Sequence, residues 1–172
     1  MPNASQKTLE DLFHDTLRDV YYAEKKLTKT LPKLAKKASS EDLAQAFTDH
    51  LAQTEQHVSR LENVFALIDK TPRGKTCPAM DGLVEEGSEL MEEFEGGTLD
   101  VALIGAAQAV EHYEIARYGT LCAWAEQLGL TEAKDILGET LEEEKAADEK
   151  LTALSESVNA AAEKDDDREA AE

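Results

Sequence analysis

A chain of 172 residues is long enough for one domain with a sizeable core and too short for two. Leu, Ala, Glu and Lys dominate, Gly and Pro are few and no strand-like alternation occurs, which is the composition of long helices. The formal net charge of −19 repels phosphate backbones and anionic lipid alike, and no apolar run approaches the roughly 20 residues that span a bilayer, so the sequence argues against nucleic acid and membrane as partners.

Thr8 and Asp11 form a capping pattern ahead of Leu9, Phe13, Leu17, Val20, Leu27, Leu31 and Leu34, which predicts a first long helix to about residue 37, kinked at Pro32. Ser39 or Ser40 caps a second helix whose stripe, from Leu43 and Phe47 to Phe65 and Ile68, carries on to about residue 69. Pro72, Gly74 and Pro78 then break structure; a short helix is expected over 80–94, ended by Gly96 and Gly97. Thr98 is expected to open the third long helix, which Gly129 ends, and Thr131 to cap the fourth. That helix fades into EKDDDREAAE, so a helical domain over 1–160 and a disordered acidic tail over 161–172 are expected. Two tight hairpins joined by a long connection make an all-α, ferritin-like four-helix bundle, with the extra short helix in the crossover.

Each long seam turns polar near its middle, at Glu24, His57, Glu111 and Glu144. Glu24 to Glu111 is 87 residues and His57 to Glu144 is 87 again, so the halves read as a degenerate repeat of one hairpin that brings four polar positions to one layer. Glu114 follows Glu111 at i+3, Asp148 follows Glu144 at i+4, and His50 and Gln53 share the face of His57. Burying several carboxylates together is prohibitive unless something neutralises them. Two divalent iron or manganese ions suit an oxygen-rich set with imidazole. The metal-free alternative has Arg60 turned inward onto Glu114 or Glu144, with Tyr21, Tyr22, Tyr113 and Tyr118 donating hydrogen bonds. His14 and His112 are read as facing outward, and Glu142 and Glu143 as belonging to the solvated face.

The N-terminus MPNASQKTLEDLF lacks the apolar core of a signal peptide, and Cys77 and Cys122 match no metal or redox spacing. They read as thiols of a cytoplasmic protein. Apolar residues beyond one stripe, such as Phe65, Leu90 and Trp124, predict a covered second face and hence a homodimer.

The blocks LEDLFHDTLRDVYYAEKKL, HLAQTEQHVSRLE, CPAMDGLVEEG, AAQAVEHYEIARYGTL and TLEEEKAADEKL resemble the YciF/YciE-like branch of the ferritin-like superfamily. The resemblance covers residues 8 to about 155 and implies a bacterial stress-associated protein, a helical dimer and a metal site. Against the wider superfamily's pattern, Glu24 fits the first ligand and Glu111 with Glu114 the pair on the third helix. Both Glu-x-x-His motifs are broken, with His57 and Arg60 on the second helix and Glu144 followed by Ala147 on the fourth. Two functions follow. One is a di-metal site of Glu24, His57, Glu111, Glu114 and Glu144, with Asp148, Gln53 and His50 as nearby ligands, oxidising Fe(II) with oxygen or peroxide. The other is a non-catalytic, partner-binding stress protein with a metal-free polar layer.

Overall fold

The computed structural model describes residues 6–169, with side chains as far as 163. Its elements are α1 (Leu9–Lys37), α2 (Glu41–Leu67), α3 (Pro78–Glu93), α4 (Gly96–Gln127) and α5 (Thr131–Glu169), with no strand among the described residues. The predicted boundary at 160 falls inside α5, and residues 170–172 of the acidic tail lie outside the described residues.

The ends of the helices follow local chemistry. The Thr8 hydroxyl accepts from the Asp11 N–H at 3.2 Å while the Asp11 carboxylate accepts from the Thr8 N–H at 2.9 Å, the capping box anticipated from sequence. Beyond it α1 continues through Pro32 to Lys37. Ser40, of the two candidate serines, caps α2 through its Oγ. Buried Asp100 of α4 accepts from the backbone N–H groups of Ser39 and Ser40, both at 2.8 Å, and so fastens the α1–α2 corner to the second hairpin. Asp100→Ala is therefore expected to cost about 1–2 kcal/mol, read as a lower thermal midpoint, by leaving two donors without their acceptor.

The glycine pair does something other than expected. The short helix opens at Pro78, with Cys77 as its cap, and ends before Phe94; Gly96 and Gly97 are the first residues of α4, two positions ahead of Thr98. Gly96 takes a left-handed φ of +59°, and a Cβ on Gly97 would lie 2.9 Å from the Ala162 Cα. Backbone-to-backbone approach of α4 and α5 is why glycine stands there. Gly129, at φ +72°, ends α4 as expected, with the Leu130 N–H returning to the Ala125 carbonyl at 2.8 Å. Thr131 is already the first residue of α5 rather than its cap.

Helices α1 and α2 pair as one hairpin and α4 and α5 as the other; α1 packs on α4 and α2 on α5, with α3 laid against α4 and touching α1. This is the four-helix bundle with a long crossover. Its core is in two parts. Leu27, Leu31, Phe47, Leu103, Ile104 and Leu151 belong to one, and Phe13, Leu17, Leu61, Phe65, Tyr118 and Leu137 to the other. Phe65 is fully buried within the chain, which corrects its reading as part of a second, partner-covered face; among the described residues the exposed large apolar side chains are Leu12, Leu67 and Phe94.

Candidate metal centre

Between the two apolar clusters every long helix contributes polar side chains to one layer. Helix α1 gives Glu24, α2 gives His50 and His57, α4 gives Glu111 and Glu114, and α5 gives Glu144. His50 and His57 stand seven residues apart, close to two full turns, so both rings face inward. All six are buried, and Glu24, His57 and Glu144 have no exposed surface.

Ligand atoms gather in two groups that share Glu144: His50, Glu111, Glu114 and Glu144, and Glu24, His57 and Glu144. In the first, His50 Nε2 lies 3.3 Å from Glu111 Oε1 and 3.7 Å from Glu144 Oε2. In the second, His57 Nδ1 lies 3.4 Å from Glu24 Oε1 and 3.1 Å from Glu144 Oε1. Among the described residues, the buried side-chain atoms without a hydrogen-bond partner are Glu24 Oε2, His57 Nδ1, Glu111 Oε2 and both carboxylate oxygens of Glu114 and of Glu144. They all belong to this layer. Such atoms each cost free energy unless a ligand or proton satisfies them. Hard oxygens with two imidazoles fit iron or manganese.

The surroundings fix this set in place. His57 Nε2 faces Glu143 Oε2 at 2.7 Å, and the same carboxylate accepts a two-pronged bond from Arg60 at 2.7 and 2.9 Å. Once the ring carries a single proton, an Nε2–H donated to Glu143 leaves the lone pair on Nδ1, on the side of Glu24 and Glu144. The Tyr118 hydroxyl donates to Glu24 Oε1. His50 Nδ1 is 3.4 Å from Gln53 Oε1, which places Gln53 behind the ring rather than among the ligand atoms.

Several sequence-based expectations change. Arg60 does not reach Glu114 or Glu144, and Glu143 is no solvated bystander but the partner of both Arg60 and His57. Tyr21 bonds to Glu62, Tyr22 to Asp81 and Tyr113 to Asp19, so only Tyr118 of the four serves the layer. Asp148 stays outside, bonded to Gln108 and 3.4 Å from exposed His112. His14 packs edge-on against Phe65. With Glu143 meeting its charge at a partly exposed place, Arg60→Leu is expected to cost about 1 kcal/mol in chemical denaturation, well below the 3–5 kcal/mol of a broken buried pair.

Electrostatics follow from burial. Desolvation raises the pKa of Glu24, and raises Glu111 and Glu114 well above the ordinary 4.5; the Glu144 charge adds to each. Burial opposes the charged form of His57, but Glu144 and Glu24 outweigh it and hold the ring up at about 10. Burial pushes His50 below its usual 6.5, and the Arg60 bonds keep Glu143 low.

In metal-free protein the carboxyls with raised pKa contribute stability that is present below about pH 4.5 and lost as pH rises through their folded-state pKa. His57 acts in the same direction, from 6.5 up through about 10. His50 opposes them, its contribution being lost as pH falls below 6.5, and Glu143 opposes them below 4.5. Melting temperatures of chelator-treated protein should therefore fall between about pH 6 and pH 9. A rise over that range would contradict these assignments.

Comparison with known proteins agrees with this architecture. Residues 8–163 match the family described as "Domain of unknown function (DUF892)". Protein YciF of Escherichia coli K12 is 51% identical over 154 residues, covering 88% of this chain and 92% of that protein. The crystal structure of the E. coli stress protein YciF superposes with a TM-score of 0.86 at 49% identity, over 89% of this chain and 98% of that one. YcfI of Rhodopseudomonas palustris, described as a structural protein, gives 0.84 at 47% identity, over 88% and 98%. A Xanthomonas campestris protein at 21% identity shares the fold, with a TM-score of 0.72 over 93% and 99% of the two chains. Carrying the family's match across nearly all its described helices, this chain is a YciF-like member of the DUF892 family.

Proposed function

We propose that the chain is a stress-associated ferritin-like protein whose central layer holds two iron or manganese ions. His50, Glu111 and Glu114 would hold one ion and Glu24 and His57 the other, with Glu144 common to both. The observation that carries this is the set of unpartnered carboxylate oxygens converging from three helices beside an unpartnered imidazole nitrogen. Four carboxylates match the charge of two divalent cations. The association with stress rests on the description of the E. coli relative.

The chemistry supplied by the bound ions would be oxidation of Fe(II), each ion giving one electron while oxygen or peroxide takes two electrons with two protons. The chain's own groups prepare the place. Glu143 holds His57 in the tautomer that presents Nδ1, the Tyr118 hydroxyl holds Glu24 by one oxygen and leaves the other free, and the two apolar clusters keep bulk water away.

A metal-free, structural role is the second reading, favoured by the description of the R. palustris relative as a structural protein. It lacks Arg60 as a neutralising cation, because Arg60 is engaged by Glu143, and rests instead on a charged His57 between Glu24 and Glu144 and on protons held by the buried carboxyls. We also propose a homodimer, as the resemblance to the YciF/YciE-like branch implies; light scattering at the mass of one chain would reject it.

Anaerobic Mn(II) should raise the melting temperature in proportion to the logarithm of its concentration, by the equivalent of about 2.7 kcal/mol at about 100 times Kd. Fe(II) oxidation under air should then exceed the rate in buffer. An unchanged melting temperature favours the metal-free reading; stabilisation without faster oxidation leaves a metal site with no turnover.

A further inference from the structure

All five helices contribute to a second feature, a cavity of about 60 Å³ beside the polar layer. Leu27, Leu31, Phe47, Val110 and Leu151 make its walls mainly apolar; His50 and Glu111 line it at the cluster, and Thr30, Asp49, Gln53 and Lys150 complete the polar lining. These two belong to the ligand group shared with Glu114 and Glu144, and the Glu111 Oε2 has no protein partner. The cavity thus joins an apolar space to one side of the cluster only, since neither Glu24 nor His57 lines it.

Size and lining select the occupant. The space exceeds the roughly 10–15 Å³ that one water needs, yet falls well below the about 150 Å³ of an apolar cavity that takes benzene and stays dry. Hydrogen peroxide would bring two O–H donors that find acceptors only at the polar lining beside Glu111 and none along the walls of Leu, Phe and Val, where an unmet donor is costly. Dioxygen has none to satisfy. We propose that this cavity binds dioxygen and delivers it to the His50–Glu111 side of the cluster, so that oxygen rather than peroxide is the oxidant; its delivery role rests on the metal reading above, whereas its capacity to hold a small apolar gas does not.

Xenon serves as the probe, by xenon-pressurised crystallography and xenon NMR of the full chain, with metal content and Fe(II) oxidation measured on the same samples. Xenon should occupy the cavity in the parent. Ala107→Leu, one turn before Glu111 on the cavity wall, should lose xenon and slow the oxygen-driven reaction while the peroxide-driven rate is unchanged. If that variant fails to fold, Val110→Ala, which enlarges the space, should increase xenon occupancy. Absence of xenon from the parent, or equal slowing with both oxidants, would overturn the proposal. Should the parent retain no metal, the metal reading falls, and xenon alone decides whether the cavity is a gas site.

Discussion

Glu144→Gln should abolish metal retention at both positions while making the metal-free protein more stable at neutral pH. Its carboxylate is the one residue common to the two ligand groups, so no alternative arrangement of the remaining side chains replaces it. Its charge also raises the pKa of Glu24, Glu111 and Glu114, and an uncharged amide of the same shape relieves all three, which is expected to outweigh the weaker hold on the charged His57 ring that Glu24 then keeps alone. Glu24→Gln is the contrasting variant. It should reduce metal content by about half, because His50, Glu111, Glu114 and Glu144 are left intact. Calorimetry of chelator-treated samples at neutral pH, beside metal analysis of loaded ones, reads both effects; a Glu144→Gln protein that still held its full metal content would remove Glu144 from the site.

Glu143→Ala is expected to weaken metal affinity by about 10–100-fold although the residue touches no ion, because an outer partner fixes which imidazole nitrogen is free. Without it, the His57 Nε2–H loses its acceptor and the proton has reason to sit on Nδ1, the atom offered to the ion. Arg60→Leu should weaken affinity less, since Glu143 still faces His57. Isothermal titration with Mn(II) distinguishes the two, and equal affinities in the parent and the Glu143→Ala protein would show that the contact is incidental.

The helices were legible because each carries its apolar residues at three- and four-residue spacing, and that spacing alone decides which face is buried. Glu24, His57, Glu111 and Glu144 stood out for a second reason, being repeated at one offset in two hairpins. Residues outside that repeat were harder to place. His50 has Leu137 at the matching position and Glu143 has Gln56, so symmetry gave no hint of either. Glu143 also lies beside Glu142 and Glu144, where sequence cannot tell which carboxylate faces the neighbouring helix. Its identification depends on His57 and Arg60 converging on it from α2, 86 and 83 residues away. The glycine pair departs from expectation for a related reason. Glycines usually end helices, but Gly97 opens one because Ala162, 65 positions further on, leaves no room for a side chain.

Metal analysis by mass spectrometry, after anaerobic incubation with Fe(II) or Mn(II) and desalting, tests the central claim most directly when a Glu111→Ala, Glu114→Ala protein is treated alongside. Roughly one to two equivalents per chain in the parent and none in the double variant is the expected result. No retained metal in the parent, or the same content in both proteins, would contradict it, and the buried carboxyls would then have to be held by protons.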